Sequence, residues 1–403
     1  MSDIKLTYIF FKSFEFIIFC IYGYILSKTK SNKEYWIKAL VPIITYAIIE
    51  GLRFGRLIDW NIYYFRYNNL GQNMGLEDYE PLFELLCHTL YNLGVSYPSF
   101  IFISSLSLII SIFVLFKNYK NCLAYMLPIT LFAISSAENF IRWYWGLVFL
   151  FLSLNSMINK RTYSTYLFFM LSVLFHMGIA VFLPIFIFAK YIDRINFNRT
   201  LCLGLFFATS FVLSLDAFSF LINIARFFLD LGLGSISPKI YNYLNYVEAL
   251  IMGEFGRTGI MERSLMNNIR MFISYAPLIW FAQDAVKGHK YGNYFYNLFV
   301  IGAIVSPLFL LIEIFNRYAS FMTFFHLIVG GVLFFFVFKN FFSIKRTVRY
   351  ICLASFLVTI QPNVTSIFAR DNDDEMLFVW NSSNRDFIPY WHNSEGLIKD
   401  LNR

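Results

Sequence analysis

The residues best suited to chemistry in this sequence are arginines at the ends of apolar segments. Two of them follow a glutamate by four positions, Glu138 with Arg142 and Glu313 with Arg317. In a helix, residues four apart share one face, so each pair holds a guanidinium beside a carboxylate. The pairs could simply stabilise helix ends, or they could be functional, since ionisable groups at membrane depth usually mark a site.

Guanidinium is permanently charged, and its forked donors match the oxygens of phosphate groups. Further arginines fall on the same side of the membrane in the topology that the sequence predicts, where such charges are normally depleted. We interpret this accumulation as a binding site for a diphosphate group. The additional candidates for diphosphate or substrate binding are Arg53, Arg56, Arg257, Arg263 and Arg270, together with Glu138 and Glu313.

A catalytic base is also available among the titratable residues. His176 lies in apolar sequence at an expected helix break, and imidazole titrates near neutrality, so it could take a proton from a sugar hydroxyl. A buried histidine bonded to a carbonyl is the alternative. Asp59 and Glu80 are alternative bases or sugar-binding carboxylates. Aromatic residues of the same region are expected to stack on sugar rings: Trp60, Tyr63, Tyr64 and Tyr67.

The composition places these residues in a membrane protein. Of 403 residues, 58% are hydrophobic and 14% are charged, against roughly one quarter charged in soluble domains. We predict an all-α, polytopic integral membrane protein with about ten to twelve transmembrane helices. Apolar runs that could each cross the bilayer lie near residues 7–27, 35–53, 98–116, 200–222, 267–285, 293–314, 317–341 and 347–366.

The remaining apolar sequence is expected to form a helical hairpin over 122–139 and 143–158, and two short segments over 163–190 that break at His176. With twelve crossings and both termini outside, six clusters of lysine and arginine become cytoplasmic, as the positive-inside rule requires. We predict a single membrane domain over 1–366 and a polar, extracytoplasmic tail over 367–403.

Two outer loops, 54–97 and 223–266, are long enough to carry function. Within the first, residues 81–94 are expected to form an amphipathic helix along the membrane face. The sequence has no metal-binding cluster, nucleotide-binding loop or nucleophile elbow, so we predict no metal, no cofactor and no nucleic-acid partner.

Several short motifs occur in an order that resembles the EpsG family of exopolysaccharide proteins, which is allied to the Wzy-type O-antigen and capsule polymerases. They are the run 53–59 with Tyr63 downstream, Glu80 and Pro81 opening a helix, residues 141–143, residues 175–178 followed by Pro184, and residues 316–318. Where the family commonly has glutamine after the arginine, this sequence has Trp143.

The resemblance implies a polymerase of the bacterial cytoplasmic (inner) membrane, working on its outer face. It would join undecaprenyl-diphosphate-linked oligosaccharide repeat units into O-antigen, capsule or exopolysaccharide, with the lipid bilayer and a chain-length regulator protein as further partners. His176, Arg142, Arg317, Asp59 and Glu80 are the catalytic candidates. A flippase of the lipid-linked unit and a membrane ligase or acyltransferase are the alternative functions.

Overall fold

The structure is a computed structural model of the chain that describes residues 3–54, 57–72, 80–135, 137, 139–212, 264–309, 313–368 and 376–380. Within these ranges every regular element is a helix, and an isolated β-bridge joins Arg53 to Phe378. Among the described residues, six helices are long and apolar enough to cross a membrane: Asp3–Ser27, Tyr97–Ala133, Ile141–Ile158, Gly292–Phe309, Phe315–Lys339 and Arg346–Phe368. The predicted all-α, polytopic membrane class is confirmed, while ten to twelve crossings stay a prediction.

The helices of the described ranges are numbered in chain order. They are α1 (Asp3–Ser27), α2 (Asn32–Gly51), α3 (Leu57–Asn68), α4 (Pro81–Asn92), α5 (Tyr97–Phe116), α6 (Leu123–Ala133), α7 (Ile141–Ile158), α8 (Thr162–Phe175), α9 (Leu183–Ile187), α10 (Ala189–Ile192), α11 (Arg199–Phe207), α12 (Leu265–Val286), α13 (Gly292–Phe309), α14 (Glu313–Phe324), α15 (His326–Lys339) and α16 (Arg346–Phe368). Side-chain oxygens of Ser31 and Asn198 cap the starts of α2 and α11, where backbone N–H groups lack helical partners.

The chain forms two compact units, Met1–Ala189 together with Ile360–Arg403, and Lys190–Thr359. The expected single membrane domain over 1–366 stays a prediction. In the second unit, Arg199 binds Gln283 and Asp284 and so joins α11 to the end of α12. Gly302 of α13 packs closely against Met322 of α14. A Cβ at position 302 would lie only 2.7 Å from the Met322 Cβ.

The first unit has two chemically different ends. At one end, which we call the lysine end, Lys120 Nζ donates to the Thr29 carbonyl at 2.9 Å, and Asn118 binds Asn155. Lys160 begins the turn into α8 at this same end of α7. Arg142 lies at the opposite end of α7, which we call the arginine end. The lysines of the lysine end are therefore separated from Arg142 by the length of α7.

The helix break predicted at His176 is confirmed. α8 ends at Phe175, and His176 has an extended backbone with φ −155° and ψ 104°. A 3-10 helix over Met177–Phe182 and the short α9 follow, with Pro184 in the first turn of α9. The amphipathic helix expected after Glu80 also forms, as α4, which begins with Pro81 because proline tolerates a first-turn position.

The described part of the C-terminal tail is packed against the protein, unlike the polar, solvated segment that its sequence predicts. Met376, Leu377 and Phe378 are buried. Backbone hydrogen bonds of 3.0 Å run from Phe54 N to the Leu377 carbonyl and from Val379 N to the Leu52 carbonyl. Residues 376–380, which we call the C-terminal clasp, thus pair with the chain just after α2, because their apolar side chains gain a buried site there.

We predict that Gly51→Ala destabilises the protein by about 1–3 kcal/mol, a typical cost of overpacking. A Cβ at Gly51 would lie 2.6 Å from the Phe102 Cα, so α2 and α5 would have to separate. The measurement is the thermal unfolding midpoint of the purified protein in detergent, followed by intrinsic fluorescence, and it should fall.

The matched control is Gly204→Ala in α11, where a Cβ meets nothing within 4 Å. Because alanine favours a helix over glycine by about 0.5–1 kcal/mol, the midpoint of this variant should stay unchanged or rise. An unchanged midpoint for Gly51→Ala would show that α2 and α5 are not in such close contact.

Candidate functional site

The site is built around the guanidinium of Arg142, the second residue of α7. Its Nη1 donates to Glu80 Oε2 at 2.8 Å, and its Nε donates to the Tyr63 hydroxyl at 2.7 Å. The guanidinium carbon also lies 5.8 Å from the centre of the Tyr63 ring. The Arg142 side chain keeps 25% of its surface exposed and the Glu80 side chain 14%, so the cation is held in place yet still reachable.

Glu80 connects three parts of the chain that are distant in sequence. Its Oε2 binds Arg142 of α7, and its Oε1 accepts a hydrogen bond of 3.3 Å from the backbone N–H of Met177. Glu80 itself immediately precedes Pro81, the first residue of α4. One carboxylate therefore fixes α4, α7 and the break after α8 to each other, and both of its oxygens accept hydrogen bonds.

His176 and Arg142 are linked through the residues that follow them in the chain, Met177 and Trp143. The His176 ring meets the Trp143 ring edge-on with ring centres 5.2 Å apart, and Glu80 binds both Arg142 and the backbone of Met177. Gly146 allows this close approach of α7, because a Cβ there would lie 3.3 Å from the His176 Cβ. Trp143 thus supports the imidazole ring.

Asp59, the third predicted base, is half-buried at the start of α3. Its backbone N–H donates to Asn139 Oδ1 at 3.1 Å, and the backbone N–H of Trp60 donates to the same oxygen at 3.3 Å. Asn139 is buried and satisfies two N–H groups in the first turn of α3, so it ties α3 to the turn before Arg142. Sequence reasoning missed Asn139, although it sits within the predicted turn 138–142.

The aromatic residues expected to stack on sugars form a core beneath the site instead. Trp60 is fully buried, and Tyr63 and Tyr67 are nearly so, while Trp60 stacks on Tyr64 with ring centres 5.2 Å apart. Their ring faces are taken by neighbouring side chains, because so many aromatic residues in one region bury each other. For Trp60, Tyr63 and Tyr67 the stacking hypothesis is therefore wrong in this structure.

Arg53 differs from Arg142 in its surroundings. It is buried, with its guanidinium carbon 4.7 Å from the centre of the Tyr8 ring and 5.3 Å from that of Phe378. Its Nε donates to the Leu377 carbonyl at 3.3 Å. These contacts hold the C-terminal clasp, so the geometry gives Arg53 a packing role and offers nothing that favours its predicted binding to diphosphate.

The remaining candidates lie in the second unit or outside the described residues. Arg270 of α12 and Arg317 of α14 are both half-buried in the second unit. Arg270 is near enough to Tyr275 for its charge to act on the phenol, and Tyr275 contacts His326 with ring centres 5.5 Å apart. The candidates outside the described residues are Arg56, Glu138, Arg257, Arg263 and the side chain of Glu313.

The described ranges hold no group of three or more His, Cys, Asp or Glu residues that could bind a metal ion. The chemistry available at Arg142 is that of a fixed cation beside an imidazole. Such a cation can neutralise a phosphate oxygen, and the imidazole can accept a proton from a hydroxyl group. Both groups lie at the arginine end, where α3, α4 and the C-terminal clasp meet.

We predict that Cys87 of α4 resists a membrane-impermeant maleimide, whereas cysteine at Leu85 reacts from outside the cell. Leu85 is 61% exposed and Cys87 is 2% exposed. Burial also raises the pKa of the Cys87 thiol, so the reactive thiolate is scarce at neutral pH and would appear only in strong alkali. Peptide mass spectrometry after labelling of spheroplasts measures both sites.

The control is Tyr163→Cys, an exposed position beside the lysine end. It should react only after the membrane is opened, if that end faces the cytoplasm. Labelling of the Tyr163 variant in intact spheroplasts, with protection of the Leu85 variant, would reverse the predicted orientation.

The comparison with known proteins gives one match. The family model of the EpsG family matches residues 35–372 of this chain. This range contains every described residue of the Arg142 site, from Tyr63 to Met177. No curated protein and no solved structure matches the chain.

Proposed function

Because the chain belongs to the EpsG family, we propose that it is a membrane-embedded polysaccharide polymerase. It joins oligosaccharide repeat units, carried on undecaprenyl diphosphate, at the outer face of the cytoplasmic membrane. The product is an O-antigen, capsule or exopolysaccharide, and a chain-length regulator protein is a candidate partner. The observation that supports the proposal is the Arg142 guanidinium, which is fixed by Glu80 and Tyr63, while the His176 ring packs against the neighbouring Trp143.

The proposed reaction transfers the growing glycan from its lipid diphosphate to the nonreducing end of an incoming unit. An acceptor hydroxyl oxygen bonds to the donor C1, the bond from C1 to the phosphate oxygen breaks, and its electron pair leaves with the diphosphate. The hydroxyl proton passes to a base. Arg142 stabilises the charge that develops on the leaving group, a role that fixed cations perform well in sites shielded from water.

His176 is our choice for the base among the three predicted residues. The carboxylate of Glu80 already accepts hydrogen bonds at both oxygens, from Arg142 and from the backbone of Met177. These bonds favour a positioning role for Glu80. Asp59 stays an alternative base, and Arg270 and Arg317 stay predicted ligands of the diphosphate.

We expect Arg142→Ala to lower polymer synthesis by about 10²–10³-fold, the usual loss when one donor to a developing anion is removed. Arg142→Lys keeps the charge but loses the fork that binds Glu80 and Tyr63 together, so it should restore little activity. Electrophoresis of surface glycan measures the polymer, and immunoblotting measures the protein level.

Arg161→Ala is the matched control, since Arg161 is an exposed arginine at the lysine end. It should make normal polymer. Arg142→Ala should accumulate single repeat units at the surface. A flippase defect would leave none there, and a ligase defect would leave polymer on undecaprenyl diphosphate. Normal polymer in Arg142→Ala would remove the proposed role of this residue.

We expect Glu80→Gln and His176→Gln to differ in the pH dependence of polymerisation by purified protein. A base must be unprotonated to act, so loss of the base should flatten the fall in rate that the wild-type enzyme shows as the pH is lowered. His176→Gln should show this flattening with a large loss in rate.

Glu80→Gln keeps an oxygen and a nitrogen near Arg142 and Met177, so it should lower the rate while the pH profile keeps its shape. A flattened pH profile in Glu80→Gln, with a normal profile in His176→Gln, would show that Glu80 is the base and that His176 is not.

A further inference from the structure

A polar pocket lies inside the first unit, apart from the residues that hold Arg142. Its empty space, with the open solvent at its mouth included, is about 380 Å³. Its walls come from α1, the chain after α2, the end of α6 and the end of α16. The polar residues that line it are Tyr8, Lys12, Glu50, Arg53, Ser135, Asn363 and Ser366. We call this space the Lys12 pocket.

Buried charges of both signs meet at the Lys12 pocket. The Lys12 ammonium binds the carboxylates of Glu15 and Glu50, and the side chains of both glutamates are almost wholly buried. Arg53, three residues after Glu50, adds a second positive charge to the lining. Two side chains of formal positive charge therefore face two of formal negative charge, and the formal charges balance. A charged ligand would disturb this balance, because either sign would meet a like charge.

Two polar atoms near this network have no hydrogen-bond partner within the described ranges. They are Glu15 Oε1, an acceptor, and Asn363 Nδ2, a donor, and both residues are more than nine-tenths buried. The orientation of the Asn363 amide is fixed because its Oδ1 accepts a hydrogen bond of 2.7 Å from the backbone N–H of Phe132. Leaving a buried polar group without a partner is costly, so such groups usually bind an ordered molecule.

We propose that the Lys12 pocket binds neutral hydroxyl groups, supplied by trapped water or by a saccharide. A hydroxyl oxygen accepts from Asn363 Nδ2, while its proton can be donated to a carboxylate oxygen of the network. The ligand is expected to be neutral because the charges around the pocket are balanced. It must also offer both a hydrogen-bond donor and an acceptor, so a purely apolar ligand is excluded. Buried water commonly fills such roles when several polar partners converge.

The test is radiolytic labelling of the wild-type protein in lipid nanodiscs, read by peptide mass spectrometry. Hydroxyl radicals formed from water label the side chains that water contacts, even inside a protein. Tyr8 lines the pocket and Tyr35 does not, although both are tyrosines with 1% exposure. We expect Tyr8 to be labelled severalfold faster than Tyr35. Equal, low labelling of the two would overturn the proposal.

A variant tests the polar partner directly. Asn363→Leu removes the unpartnered donor and fills space, so the labelling of Tyr8 should fall to the rate of Tyr35. Thr130→Val in α6 is the control, since the Thr130 hydroxyl binds the Met126 carbonyl of its own helix, and it should leave Tyr8 labelling unchanged. Unchanged Tyr8 labelling in Asn363→Leu would contradict the proposal. If that variant fails to fold, the comparison of Tyr8 with Tyr35 in the wild-type protein still tests it.

The two sources of the hydroxyl group are separated by adding N-acetylglucosamine, with formate as the control at a concentration that scavenges radicals equally. Protection of Tyr8 by N-acetylglucosamine, relative to formate, assigns a saccharide hydroxyl, and equal labelling assigns water. None of these measurements requires catalysis, so they can succeed or fail independently of the proposed polymerase function.

Discussion

The arginine end of the first unit depends on one carboxylate. Glu80 binds Arg142 with one oxygen and the backbone of Met177 with the other, so it sets the positions of α4, α7 and the break after α8 together. A salt bridge offsets the cost of removing its charges from water only when further hydrogen bonds satisfy both groups, and the Tyr63 hydroxyl supplies one for Arg142. The geometry of the candidate site therefore rests on a contact between residues 62 positions apart.

Arginine serves two different purposes in this unit, and the surroundings decide which. Arg53 is enclosed by Tyr8 and Phe378 and holds the C-terminal clasp, a cation–π arrangement that suits a desolvated guanidinium. Arg142 keeps a quarter of its side-chain surface exposed and so can meet a ligand. The residue type alone predicted the same phosphate-binding role for both, because a sequence does not show which neighbours cover a side chain.

Local features were predictable, whereas pairings across the chain were not. The break at His176 and the helix after Glu80 follow from nearby proline and from apolar spacing, and both are present. The Glu80–Arg142 pair joins separate helices, and i to i+4 spacing cannot indicate such a partner. The ion pairs of Lys12 could not be predicted, because Lys12 and Glu15 lie in a run whose average composition is apolar. In the structure Lys12 binds both Glu15 and Glu50 inside the fold. The burial of the C-terminal clasp could not be predicted either, because its few apolar residues follow a polar stretch.

The position of the site explains why its sequence signature is a series of short motifs in fixed order. The described residues of 53–59, 80–81, 141–143 and 175–178 lie where a helix begins or ends, and they are gathered at the arginine end of the first unit. A helix that crosses a membrane contributes only its terminal residues to one face, while its length is constrained merely to be apolar. Each motif is therefore short. Specificity comes from the succession of the motifs, and the family match accordingly extends over residues 35–372.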